Sequence, residues 1–296
     1  MRIAVTGATG LIGSALVPAL RTAGHDVLVL VRRPATVADE VAWDPEAGTL
    51  ADERLQGVDA IVHLAGFNLG TRWTTAKKRL ILDSRVAGTS LVAATAARIT
   101  PRPAALVCAS AIGYYGERGD DVLTEDSGRG AGFLADVVEA WENAAHPARD
   151  AGIRVVNLRQ GLILSPHGGA LGRLLPPFRL GLGGPVGAGR QWWSWVTLDD
   201  VVRAYLHALE HPIAGPFNVT APEPVRNRDF VKALGRALRR PALAPFPALA
   251  VRALLGEMGD ELLLTSQRVL PAGLEADGFT FEQRSLAGAL ASVLAR

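Results

Sequence analysis

The chain has 296 residues, 49% hydrophobic and 20% charged, a globular composition with room for one large α/β domain and a smaller lobe. Lys and Arg number 31 against 29 Asp and Glu, a net charge of +2, and no basic run interleaves with aromatics, so nucleic-acid binding is not expected despite a pI of about 9.0. Cys108 is the only cysteine, which excludes an internal disulfide and a cysteine-based metal site.

Arg2-Ile3-Ala4-Val5 reads as a buried strand, and it runs into Thr6-Gly7-Ala8-Thr9-Gly10-Leu11-Ile12-Gly13 and then the apolar Ala15-Leu16-Val17. Strand, glycine turn and helix in this order form a phosphate site. Glycines without Cβ atoms let the backbone approach a pyrophosphate, and the helix presents free N–H groups and the positive end of its dipole. A second strand follows over residues 26–31 and ends in Arg32-Arg33-Pro34. In a dinucleotide site an acidic residue here suits the ribose hydroxyl of NAD, whereas arginine suits the 2′-phosphate of NADP. Arg32 and Arg33 therefore point to NADP(H), with a solvated basic loop as the alternative.

Residues 41–43 suggest a short third strand, and 58–66 a near-continuous apolar strand ending in glycine. Residues 74–99 carry apolar side chains at helical spacing and stop at Pro101 and Pro103. A strand over 104–110, a Gly- and Asp-rich loop over 113–132, an amphipathic helix over 133–148 and a strand over 153–159 continue the alternation. The repeated βα pattern predicts a Rossmann-type, doubly wound parallel sheet. Beyond residue 160 the rhythm changes to glycines and prolines, followed by the indole-dense Gln191-Trp192-Trp193-Ser194-Trp195. An acid-capped helix opens at 198–206, a short strand is expected at 217–220 and a helix at 228–238. Residues 1–220 are assigned to the nucleotide-binding domain, with 166–195 interleaved as substrate-lobe segments, and 241–296 to a separate C-terminal lobe or cap. The first strand leaves no room for a signal peptide, and no apolar run reaches the ~20 residues of a membrane span. A cytoplasmic location is the expectation. A homodimer is left open.

Thr6-Gly7-Ala8-Thr9-Gly10-Leu11-Ile12-Gly13, His63-Leu64-Ala65-Gly66 and Leu198-Asp199-Asp200-Val201 together resemble the extended short-chain dehydrogenase/reductase (SDR) superfamily. Ala109-Ser110-Ala111-Ile112-Gly113-Tyr114-Tyr115-Gly116, the Gly/Pro segment 171–184 and Gly189-Arg190-Gln191-Trp192-Trp193-Ser194-Trp195-Val196 narrow this to its atypical "epimerase family" branch. The last segment resembles that branch's C-terminal domain of unknown function. The resemblance implies an NADP(H)-binding oxidoreductase or nucleotide-sugar-epimerase-like protein acting on an unknown small molecule. It also implies cofactor contacts from Gly7, Gly10, Leu11 and Ile12 at the pyrophosphate, within a motif bounded by Thr6 and Gly13. Arg32 and Arg33 would meet the 2′-phosphate, and Leu64, Ala65 and Gly66 the adenosine-ribose side. Ser110 and Gln160 would lie toward the nicotinamide.

The SDR reaction uses Tyr-x-x-x-Lys on one helix, a tyrosine that moves a proton and a lysine one turn later that supports it. Aligned through Glu142, the helix over 133–148 has Leu134 and Val138 at those positions, and the motif occurs nowhere in the chain. Substitute catalytic groups are Ser110, Tyr114 or Tyr115 in the loop after it, and Glu125. Each also has a packing or capping role open to it. A non-catalytic NADP(H)-binding regulator or scaffold is the alternative function. His63 is read as a core histidine. Trp192, Trp193 and Trp195 either line a pocket or pack the lobe. The six histidines read as scattered, and no metal is expected.

Overall fold

The computed structural model describes residues 1–295. β1 (Arg2–Thr6) is fully apolar from Ile3 to Val5 and sits inside an eight-stranded sheet. It leads through the glycine turn into α1 (Gly13–Thr22), then β2 (Asp26–Val31), β3 (Glu40–Asp44) and the two-residue β4 (Thr49–Leu50). β5 (Ala60–His63) is shorter than the apolar run suggests, because the chain turns away at Leu64 toward the cleft. α2 (Thr75–Arg98) begins where the sequence predicts, with the Thr74 hydroxyl accepting a hydrogen bond from the N–H of Lys77. β6 (Ala105–Ala111) follows, then a short 3-10 turn, Ile112–Tyr115, and β7 (Val122–Leu123).

The helix expected over 133–148 is two helices, α3 (Phe133–Asn143) and α4 (His146–Asp150). Pro147 explains the break. It lacks the N–H a continuing helix needs, and it is well placed at the start of a new one. β8 (Arg154–Gln160) and β9 (Leu162–Leu164) come next. The Gly/Pro stretch then holds α5 (Gly169–Arg179), which the prolines hide in the sequence. Pro176 and Pro177 fall in its last turns, while Leu171, Leu175 and Phe178 form one buried face. β10 (Trp192–Trp193), β11 (Trp195–Thr197), α6 (Leu198–Glu210), β12 (Gly215–Val219), β13 (Val225–Arg226) and α7 (Asn227–Leu238) continue the chain. The C-terminal part contains α8 (Ala248–Leu255), α9 (Glu257–Gly259), β14 (Arg268–Val269), α10 (Ala272–Ala276) and α11 (Leu286–Leu294).

The large sheet runs β12-β8-β6-β5-β1-β2-β3-β4, parallel except for the β3–β4 pair. Its order reverses between β1 and β5, the switch point where doubly wound folds bind nucleotides. Ile3, Val5, Val62, Val107 and Val156 pack on the α1 and α6 side, and Ala4, Ile61, Leu106, Cys108 and Val155 on the α2 and α4 side. A smaller lobe has its own core, with Leu171, Phe178, Trp193, Trp195, Phe230 and Leu290 at its centre. Trp193 and Trp195 thus pack the lobe.

The C-terminal part, expected as a lobe or cap, packs against the cores of both the large sheet and the smaller lobe. Leu274, Phe279 and Phe281 join the core on the α6 side of the sheet, with α10 against β12, while α11 packs in the smaller lobe and β14 pairs with β7. Met258 and Leu255 join Trp73, Ile81 and Leu134 against α2 and α3. Among the described residues α2 is the one helix long and apolar enough to cross a membrane, by length and composition alone. Here Ile81, Val92, Ala93 and Ala96 are buried inside the fold.

Candidate functional site: the nucleotide cleft

The glycine turn opens at the C-terminal end of β1. Gly7 has φ +68°, and a Cβ there would lie 2.9 Å from Ala65 N and from the carbonyl carbon of Leu64, so only glycine fits between the two strand ends. A Cβ on Gly13 would fall 2.3 Å from the Gly7 carbonyl oxygen, which makes Gly13 a packing glycine that seats α1 on the turn. Gly10 donates its N–H to Gly7 O and is exposed at the tip. Among the described residues the N–H groups of Leu11, Ile12 and Gly13 have no hydrogen-bond partner. These free donors at the head of a ten-residue helix are what an anion needs. The N-terminus of α5 closes one side, since Cβ positions on Gly168 and Gly169 would touch Leu11.

Thr6 is part of this frame, but its side chain does not face the cleft. It is fully buried, and its Oγ1 accepts from Leu64 N at 3.0 Å and Ala65 N at 3.2 Å while lying 2.9 Å from His63 Nδ1. Burial, then the Arg85 charge, pushes the His63 pKa down to about 4, so the ring is neutral and structural. Arg85 holds the next stretch of the loop by donating to Phe67 O.

The two arginines after β2 differ. Arg33 is forked onto Glu40, with Nη1 2.8 Å from Oε2 and Nη2 2.5 Å from Oε1. The Arg33 fork and the Thr36 N–H hold the Glu40 carboxyl down to about 2. Arg33 is therefore held to the loop by Glu40. Arg32 is exposed and makes no hydrogen bond or ion pair with any described residue.

At the end of β6 the expected catalytic side chains meet a buried ionic network. Ser110, Arg159 and Asn218 sit in register on neighbouring strands β6, β8 and β12. Ser110 is 2% exposed and donates to Glu142 Oε1 at 2.6 Å. Arg159 grips both Glu142 oxygens at 2.8 Å and donates to the Tyr115 hydroxyl at 3.2 Å. Tyr115, fully buried, donates onward to Asn218 Oδ1 at 2.8 Å. Burial works against the Arg159 charge, but Glu142 outweighs it and holds the guanidinium above its ordinary value. Burial also raises the Tyr115 pKa. Ser110 and Tyr115 are therefore internal members of an ionic network. Glu125 Oε1 accepts from the backbone N–H of Asn218 on the outer edge of β12, at 2.8 Å, so it satisfies the edge of the sheet. Leu134 and Val138 are both buried apolar residues of α3.

Tyr114 differs from these. It is half-buried, its ring lies edge-on to Tyr115, and the Arg159 guanidinium stacks 3.6 Å from its centroid. Its hydroxyl makes no hydrogen bond with any described residue. Gln160, also half-buried, donates to the buried Tyr205 hydroxyl at 2.6 Å. Arg159 and Asn218 are the residues that sequence reading missed. The available signal was a guanidinium inside an otherwise apolar strand, which needs a buried counter-charge.

Residues 3–220 match the NAD dependent epimerase/dehydratase family, and residues 246–293 match a domain of unknown function, DUF1731. The chain is 45% identical over 290 residues to the epimerase family protein Mb2239 of Mycobacterium bovis, spanning 97% of this chain and 96% of that one. It is similar to a crystal structure of the human epimerase family protein SDR39U1 (isoform 2) with NADPH, at a TM-score of 0.92 and 34% identity over 100% of this chain and 99% of that one. It is also similar to a nucleoside-diphosphate sugar epimerase of Corynebacterium glutamicum, at a TM-score of 0.83 and 38% identity, covering 99% of this chain and 58% of that one. With its glycine turn at the β1–β5 switch point and its C-terminal part woven into the same cores, the chain belongs to the NAD dependent epimerase/dehydratase family and carries the DUF1731 domain.

Proposed function

We propose that the protein is an NADP(H)-dependent oxidoreductase or epimerase of a small carbonyl or sugar substrate, with Arg32 reading the 2′-phosphate and Tyr114 handling the proton. The observation that carries the cofactor half is the Arg32 guanidinium, without a partner among the described residues, just after β2, the strand paired with β1 ahead of the glycine turn. The nearby carboxylate, Glu40, is held by Arg33 and is not offered to a ribose 2′-hydroxyl. The human relative solved with NADPH supports the same choice. When bound, the nicotinamide supplies or accepts the hydride. The chain's own part is to hold the pyrophosphate on the turn and to offer a proton donor at the cleft. Tyr114 is the expected donor whose hydroxyl remains uncommitted, with the Arg159 cation against its ring.

Two readouts test the chemical half: net NADPH oxidation with a panel of aldehydes and ketones, and chromatography of the product sugar with a panel of nucleotide sugars, because an epimerase returns its hydride and consumes no cofactor. Tyr114→Phe is expected to lower turnover on the order of 10²–10⁴-fold with NADPH affinity retained. A second reading, a non-catalytic NADP(H)-binding protein, is favoured by the commitment of Ser110 to Glu142 and by the apolar Leu134 and Val138. NADPH binding without turnover on any panel member, or turnover indifferent to Tyr114→Phe, would favour that reading or another donor.

A further inference from the structure

The end of α6 carries a constellation unconnected with the nucleotide cleft. The histidines are not all scattered along the fold. His207 lies in the last turn of α6 and His211 follows it by one helical turn, at the helix C-cap. The loop after α10 brings Asp277 against both. His207 Nε2 is 2.7 Å and His211 Nδ1 is 3.1 Å from the same oxygen, Asp277 Oδ2. The imidazole rings are stacked, with centroids 3.8 Å apart and planes at 26°, so a shared ion requires one ring to turn out of the stack. One donor atom from each of the three residues lies within 4.8 Å of the others.

The surroundings hold these donors in place. Phe279 packs edge-on against His207 at 5.3 Å. Arg154, at the start of β8, donates to the carbonyls of Ala208, Leu209 and Ile213 and so fixes the end of α6. Asp277 N–H donates to Gly273 O and Phe279 N–H to Leu274 O, which fixes the loop. Preorganised donors lose little freedom on binding. Arg203, one helical turn before His207, is paired with Asp200 and Glu282, and Arg154 is spent on the backbone carbonyls. The carbonyl end of the α6 dipole and the Asp277 carboxylate both favour a positive charge at this point.

We propose that His207, His211 and Asp277 bind one divalent transition-metal ion of the zinc class. Two imidazoles and one carboxylate suit zinc, cobalt or nickel, whereas magnesium and calcium call for more oxygen donors. Bonds of about 2.0–2.1 Å in a tetrahedral site place donor atoms roughly 3.3 Å apart. The two histidine–aspartate separations, 2.7 and 3.1 Å, widen to that spacing by rotation of the partly exposed Asp277 and His211 side chains. His211 and Asp277 are 44% and 30% exposed, so a water or an external ligand completes the fourth position. The site ties α6 to the segment after α10. It lies at the N-terminal end of β8, across the sheet from the glycine turn, and its role is to clamp the C-terminal part onto the nucleotide-binding core.

The test uses the full chain, stripped with a chelator and dialysed, titrated with Zn²⁺ by calorimetry and with Co²⁺ by visible absorption. One equivalent of metal, a tetrahedral or five-coordinate Co²⁺ band, and a rise in melting temperature are expected, with or without NADPH. His211→Ala removes a donor outside the helix body and Asp277→Asn removes the charge. Each is expected to weaken metal binding by at least about tenfold, while the metal-free melting temperature and circular dichroism show that both variants remain folded. A plain histidine–aspartate ion pair at a helix end overturns the proposal. It would show as no stoichiometric Zn²⁺ binding, or as binding unaltered in both folded variants.

Discussion

Thr6, His63 and Ser110 look equally available in the sequence, at the ends of three strands that point to one cleft. The structure commits all three internally: Thr6 to the backbone of Leu64 and Ala65, His63 to Thr6, and Ser110 to Glu142 on α3. Glycines could be read from local spacing because their role is local. The fate of Ser110 could not, because it depends on the register that sets Arg159 beside it. His63 provides a residue-level test. Its folded pKa of about 4 lies below the ordinary 6.5, so the unfolded chain binds the proton more readily. Its contribution to stability is complete above about pH 6.5 and is lost as pH falls toward 4, on the order of 3 kcal/mol in all. Denaturant midpoints measured between pH 7 and 4.5 should fall in the wild type and fall less in His63→Gln, which keeps a hydrogen-bonding partner for Thr6. Parallel pH curves would contradict the assignment.

The helices and strands of the first 160 residues were mostly legible, since their apolar periods are uninterrupted. Two elements were not. α5 was hidden by Pro176 and Pro177, and the break between α3 and α4 by helix-compatible residues on both sides of Pro147. The start of α6 was legible as a cap, but the reach of its acid was not. Thr197 accepts from the Asp200 N–H, the ordinary capping bond. Asp200, fully buried, also accepts from Arg203 and from the backbone N–H groups of Glu282 and Gln283. Thr197→Ala should therefore cost about 1 kcal/mol. Asp200→Ala, which strands two backbone donors and a cation, should cost about 3–5 kcal/mol. Chemical denaturation of the two variants orders these effects, and equal losses would show that Asp200 acts as a cap alone.

At the scale of the whole molecule, the sequence reading separated residues 241–296 as a lobe, because their composition changes and their helices are short. Contacts across long sequence separations decide otherwise. Leu274, Phe279 and Phe281 join the core beside β12 and α6, Glu261 accepts from the first N–H groups of α3, and Leu290 lies in the core of the smaller lobe. A chain ending at residue 240 should lose cooperative unfolding and native near-ultraviolet circular dichroism, with apolar surface left exposed on both cores. A truncated chain with a sharp, native-like melting transition would restore the separate lobe. In the full-length molecule this woven C-terminal part supports the sheet whose switch point carries the proposed dinucleotide site.

That site is tested most directly by the ratio of NADH to NADPH dissociation constants, followed through tryptophan fluorescence, in the wild type and in Arg32→Ala. One charge-assisted contact to the 2′-phosphate is worth about 1.5–3 kcal/mol, so the wild type should prefer NADPH by roughly 10- to 100-fold. Arg32→Ala should remove most of that preference with little change in NADH affinity, and Arg33→Ala should act more weakly. Equal affinity for the two cofactors in the wild type, or an unchanged ratio in Arg32→Ala, would contradict the account.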